Sequence, residues 1–137
     1  MSSESNIVLH VEDDQHVSAS VRALLQPLGY DLRSAIDGGE ALAQIADHVT
    51  PDVLIVDLRL PGDMDGVEVA EEICRSLGHV VPTVLLSGEL ASGGIPWLPG
   101  APLICLWKPV DPETLVTVVD AFARLGRFIR SRPRPHP

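Results

Sequence analysis

Only two cysteines, two phenylalanines, two tryptophans and one tyrosine occur among the 137 residues. Cys74 and Cys105 each lie in apolar surroundings. That excludes a disulfide framework and reads as small core residues of a reducing compartment. No apolar run approaches the roughly 20 residues that span a bilayer, and no signal peptide opens the chain, so a cytoplasmic location with no membrane partner is expected. A basic surplus is also lacking. The formal charge of -9 argues against nucleic acid as a partner. The acids are dispersed and form no acidic tail. Only the C-terminal end is basic, through Arg124, Arg127, Arg130, Arg132 and Arg134. The length suits one domain with a substantial core, and no internal repeat is present.

What is present is a regular alternation of strand and helix signals. Residues 1–6 are polar and expected to be frayed or disordered. Ile7–Val11 is a β-type run ending in Glu12-Asp13-Asp14. Val17, Val21, Leu24, Leu25 and Leu28 then repeat at helical spacing, with Asp14 as N-cap and Gly29 as stop. Asp31–Ala35 is a weak strand, Asp37-Gly38-Gly39 a turn, and Ala41, Leu42, Ile45 and Ala46 mark a second helix. Val53–Val56 suits a strand buried on both faces and ends abruptly at Asp57. Pro61-Gly62 and Asp65-Gly66 favour turns. Val67, Ala70, Ile73, Cys74 and Leu77 give a third helix ended by Gly78. Thr83–Ser87 is a further buried strand. A fourth helix belongs between Glu89 and Pro102, but Gly93, Gly94, Pro96, Pro99, Gly100 and Pro102 argue that it is short or irregular. Leu103–Trp107 is the last strand, running into Lys108-Pro109. A last amphipathic helix starts near Asp111-Pro112 and carries Leu115, Val118, Val119, Phe122 and Ile129. The domain is placed at 7–130, and 131–137, rich in Arg and Pro, as a disordered tail or linker.

Five strands alternating with helices imply a doubly wound parallel sheet, and right-handed crossovers place every strand's carboxyl end on one edge. Glu12, Asp13, Asp57, Ser87 and Lys108 therefore converge. Three carboxylates around one point suit a hard cation such as Mg²⁺. A carboxylate can accept a phosphoryl group. Lys108 supplies positive charge to that group, Ser87 a hydrogen bond, and Gly88 room for the backbone.

These residues, Glu12-Asp13, Asp57 within Val-Asp-Leu-Arg-Leu-Pro-Gly, Asp65-Gly66, Ser87-Gly88 and Lys108-Pro109, make the chain resemble the receiver domains of two-component response regulators, from about Ile7 to about Arg130. The resemblance implies a flavodoxin-like (βα)5 fold. It implies a phosphoryl group transferred to Asp57 from a histidine kinase or histidine phosphotransfer protein. It also implies Mg²⁺ held by Asp13 and Asp57, by Glu12 mainly through water, and by the Arg59 carbonyl. Ser87 and Lys108 would bind phosphoryl oxygens, and the Lys108-Pro109 bond would be cis.

Three features depart from the family pattern. Cys105 stands where receivers carry Tyr or Phe, the segment before the last strand is broken by Gly and Pro, and Asp63 is an extra residue after Pro-Gly. They resemble the receiver at the C-terminal end of hybrid sensor kinases. Arg59 and Glu89 either flank the site and tune phosphoryl loss or form an exposed pair worth little. His10 and His16 lack ligand spacing and read as core and surface residues. Trp107 is expected to pack or to support contacts in a homodimer, and Trp97 to be ordinary or an exposed anchor. The alternatives are a binding module independent of phosphorylation, a phosphohydrolase, which Arg59 two residues after Asp57 disfavours, and a flavin carrier, which the acidic loops disfavour.

Overall fold

The computed structural model describes residues 6–88 and 100–132. The expectations for the irregular fourth helix, Glu89 and Trp97 fall outside the described residues. So do those for residues 1–5 and 133–137. Strands β1 (Ile7–Val11), β2 (Asp31–Ala35), β3 (Val53–Asp57), β4 (Thr83–Ser87) and β5 (Leu103–Trp107) form one parallel sheet in the order β2-β1-β3-β4-β5. Four α-helices are described: α1 (Gln15–Leu25), α2 (Gly38–Ala46), α3 (Gly66–Leu77) and α4 (Pro112–Ser131).

Alternation along the strands divides the core. Leu9, Val11, Leu54, Val56 and Leu85 meet Ala41 and Ile45 of α2 and Val69, Ala70 and Ile73 of α3. On the opposite face Val8, Leu32, Val53, Ile55, Val84 and Leu86 meet Val21 and Leu25 of α1 and Leu115, Val119 and Ala123 of α4. With helices on both faces, β3 and β4 are buried at every residue and read as unbroken apolar runs. β5, at the margin, is only half-buried.

Local chemistry sets the helix ends. The Asp14 carboxylate accepts from His16 N and Val17 N, so α1 starts where the acidic run stops. Its regular part ends at Leu25. Pro27 cannot donate the next helical bond, and Gln26–Leu28 tightens into a 3-10 turn closed by Gly29 at φ 96°. Asp65 and Glu68 form a reciprocal capping box on α3.

One local expectation is corrected. Gly38 and Gly39 are not turn residues but the first two residues of α2, capped by Asp37. A Cβ on Gly38 would lie 2.7 Å from Val69 Cγ2 and 2.9 Å from Met64 Cε, so a glycine lets α2 and α3 approach. At the chain ends, Asn6 O accepts from Asp31 N at 2.9 Å, and α4 continues to Ser131.

Candidate functional site

The strand order reverses between β1 and β3, and such a switch point opens a crevice outside the strand ends. Glu12 and Asp13 follow β1 there, and Asp57 ends β3 beside them. One carboxylate oxygen from each lies within 4.8 Å of the others. Glu12 and Asp57 are buried, whereas Asp13 is exposed. Gly66 makes this packing feasible. A Cβ there would stand 2.4 Å from Asp57 O, and Gly66 N donates to Leu58 O at 2.9 Å, closing the loop after Asp57.

Lys108 is the only lysine in the chain. It arrives from the end of β5, and its Nζ bonds Asp57 Oδ2 at 2.9 Å and Glu12 Oε1 at 3.1 Å. The Lys108-Pro109 bond is cis, as the sequence suggested. Arg59 N donates to Asp57 Oδ1 at 3.1 Å, and Asp14 N to Glu12 Oε2 at 3.2 Å. Ser87 is buried at the end of β4, one position beyond Leu86, the register partner of Asp57. Thus the structure brings Glu12, Asp13, Asp57 and Lys108 together, sets Ser87 on the neighbouring strand end, and ties the Arg59 backbone to Asp57.

The buried charges perturb one another. Burial is the main force pushing the Glu12 carboxyl up to about 7, with the nearby Asp57 adding to it and the Asp14 N–H and Lys108 opposing it. Burial also works against the Lys108 charge, but its bonds to Asp57 and Glu12 outweigh burial and raise it above the usual lysine range. Oxygen-only donors with one exposed member fit a small hard cation that keeps part of its water shell.

His10, read from the sequence as a core residue, is buried as expected but also stands beside the site. It lies fully inside β1, two residues before Glu12, and its Nε2 has no hydrogen-bond partner. Burial first, then Lys108, lowers its pKa to about 4, so it is neutral at pH 7. In the unfolded chain His10 binds a proton below about 6.5, whereas in the fold it does so only below about 4. Its contribution therefore makes stability fall as pH falls through that window, by about 3 kcal/mol in all. Glu12 acts oppositely. Its raised pKa makes stability fall as pH rises from about 4.5 to about 7. The two slopes roughly cancel in the wild type. In His10→Val, urea unfolding should instead show stability declining steadily as pH rises across that range. A flat profile in that variant would remove Glu12 as a carrier of the effect.

Beside Lys108 a groove of about 870 Å³ runs between α1 and the start of α4, lined by Val17, Val21, Leu24, Leu86, Val110 and Leu115 among others. His16, expected on the surface, stands exposed at α1 and also borders it.

Residues 8–120 match the family model of the response regulator receiver domain. The response regulator MprA of Mycobacterium avium is 40% identical over 118 residues, 85% of this chain and 50% of that protein. The transcriptional regulatory protein PrrA of Mycobacterium leprae is 39% identical over 82 residues, 60% of this chain and 34% of that protein. The chain thus spans about half the length of the MprA relatives it matches. Among solved structures, the chemotaxis protein CheY4 of Vibrio cholerae superposes with a TM-score of 0.72 at 29% identity, covering 87% of this chain and 99% of that one. A signal receiver domain of an HD domain-containing protein from Pseudomonas fluorescens shares the fold, with a TM-score of 0.78 at 23% identity over 91% and 99% of the two chains.

Proposed function

The chain belongs to the response regulator receiver domain family and is a signalling phosphoacceptor of two-component systems; from this premise we propose that Asp57 is the residue phosphorylated. The observation that carries this reading is the Lys108 ammonium held by Asp57 Oδ2 and Glu12 Oε1 at the carboxyl edge of the sheet. That bond holds the Asp57 carboxylate at the crevice. In the transfer, an Asp57 oxygen forms the new O–P bond while the N–P bond of a phosphohistidine breaks. The imidazole leaves with the bonding pair and takes up a proton. Lys108 and the Ser87 hydroxyl then serve the phosphoryl oxygens, and positioning and charge provide the catalysis.

Glu12, Asp13 and Asp57, with the Arg59 carbonyl, would hold Mg²⁺, which when bound neutralises charge on the phosphoryl oxygens. The donor is a histidine kinase or a histidine phosphotransfer protein. The apolar groove bordered by Lys108 offers such a donor an approach to Asp57. The output is contact with other proteins, made or broken by the added charge. In this reading the domain catalyses only its own phosphorylation and dephosphorylation, in the cytoplasm. No described helix is long and apolar enough to cross a membrane.

Intact mass after incubation with acetyl phosphate and Mg²⁺ tests the assignment. The wild type gains about 80 Da, and Asp57→Asn does not. Folded wild type that takes up neither the phosphoryl group nor beryllofluoride would favour a binding module independent of phosphorylation. Because Glu12 holds a proton up to about pH 7, Mg²⁺ must displace it. Affinity measured by calorimetry should therefore fall below neutrality, by at most about tenfold per pH unit, and flatten in Glu12→Gln.

A further inference from the structure

The groove between α1 and the start of α4 is apolar along its length and charged at one end. All its lining residues lie among the described residues. Val21, Leu86 and Leu115 are buried in its wall, and Val17, Leu24 and Val110 are half-buried there. Ser20 and Pro112 are exposed at its rim. Lys108 is the one lining residue with a fixed charge.

The sheet sets this groove against the nucleophile. Leu86 lines it and is the register partner of Asp57 on the adjoining strand. Neighbouring strands lie about 5 Å apart, so the apolar wall begins about one strand spacing from Asp57. Ile55 and Leu86 both face α1 and α4. Period-two alternation puts the Asp57 side chain on that same face. Lys108 joins the two regions, since its Nζ is 2.9 Å from Asp57 Oδ2 while the residue borders the groove. A cationic end beside an apolar trough of about 870 Å³ matches a small molecule with an anionic head and an apolar tail. The imidazole of a phosphohistidine would fill only the end nearest Asp57.

We propose that this groove holds the acyl chain of small acyl phosphates and selects donors with apolar chains of several carbons over acetyl phosphate. The inference rests on Asp57 as the phosphoacceptor and names a substrate class for that site. In the transfer an Asp57 oxygen forms the new O–P bond, and the bond from phosphorus to the bridging oxygen of the mixed anhydride breaks. The carboxylate leaves with the bonding pair, so no proton has to be supplied. Lys108 faces the phosphoryl oxygens, and the chain lies against Val17, Val21 and Leu24. Chain length hardly alters the basicity of the leaving carboxylate, so a rate difference reports binding. Each buried methylene should raise kcat/KM about fourfold. In a groove open on one side, hexanoyl phosphate should react about tenfold faster than acetyl phosphate or more.

Timed intact-mass measurements with Mg²⁺ compare the two donors at equal, subsaturating concentration. They are made on the wild type and on Ser20→Trp, whose indole would occupy the groove. The wild type should favour hexanoyl phosphate, and the ratio of the two rates should fall toward one in Ser20→Trp. Hexylphosphonate, which cannot transfer its phosphorus, should shift the methyl NMR signals of Val17, Val21 and Leu24 but not those of Val69 and Ile73 across the sheet. Equal rates from the two donors, both phosphorylating Asp57, would overturn the inference and leave the phosphoacceptor in place. No phosphorylation from either donor would remove both. A length effect that survives Ser20→Trp, or hexylphosphonate that leaves those three methyl sets unmoved, would place the chain elsewhere and overturn the inference too.

Discussion

Lys108→Met is expected to bind Mg²⁺ more tightly than the wild type while accepting a phosphoryl group about a hundredfold or more slowly. The two effects have one cause. Without the metal, the lysine ammonium is the counter-ion of Glu12 and Asp57, at 3.1 and 2.9 Å. Methionine keeps the length and removes the charge, so the crevice becomes more negative and attracts a divalent ion more strongly. During transfer, however, charge gathers on the phosphoryl oxygens, and losing one preorganised cation there costs about 10²–10³ in rate. Calorimetry with Mg²⁺ and timed intact-mass measurements with acetyl phosphate separate the two. Weaker metal binding together with slower transfer would point instead to a disordered site. Unchanged transfer would remove Lys108 from the phosphoryl contacts.

Gly126→Ala should be the most destabilising glycine-to-alanine change among the described glycines, at about 3 kcal/mol or more, with a midpoint lower by roughly 10 °C. The added Cβ would stand 1.8 Å from Asp52 O and 2.7 Å from Asp52 C. These are backbone atoms at the entrance to β3, so α4 must lift instead. Lifting α4 also strains the bond from Arg130 Nε to Asp52 Oδ1 at 2.8 Å, whose carboxylate is buried and also accepts from Ile7 N at 3.3 Å. Breaking such a buried pair leaves charge without a partner. Helix propensity alone would make the change favourable by up to about 1 kcal/mol. Gly39→Ala isolates that term, since the nearest atom to its Cβ is Asp37 Oδ1 at 3.6 Å. Thermal unfolding of both variants should move in opposite directions.

The contrast between these glycines shows where the sequence could be read and where it could not. The strands were legible because burial on both faces demands unbroken apolar runs, as in Val53–Val56, and because acids mark where such a run meets the crevice. The parallel order then followed from strand–helix alternation, and with it the convergence of Glu12, Asp57 and Lys108. Gly38 was misread as a turn residue because close helix approach and backbone freedom select the same amino acid. Gly126 carried no turn signal at all, since its reason lies 74 positions away in the chain at Asp52. His10 looked like an ordinary strand residue. Only the fold places its ring in the field of Lys108, Asp57 and Arg22. The sequence suggested that a cation must stand among the acids, but not that Glu12 would share the lysine with Asp57.

A chain whose only lysine lies in its site has an unusual relation to amine chemistry. Every other fixed cation is an arginine, which amine-selective acylating reagents at neutral pH leave alone. Apart from the α-amine, an amine-selective reagent has one target, Lys108, and that target is guarded by its own hydrogen bonds, which hold it protonated and non-nucleophilic. The rate of labelling at this one nitrogen is therefore a gauge of how firmly the two carboxylates hold it. It can be read without any tag, and it should rise whenever Glu12 or Asp57 is drawn to something else.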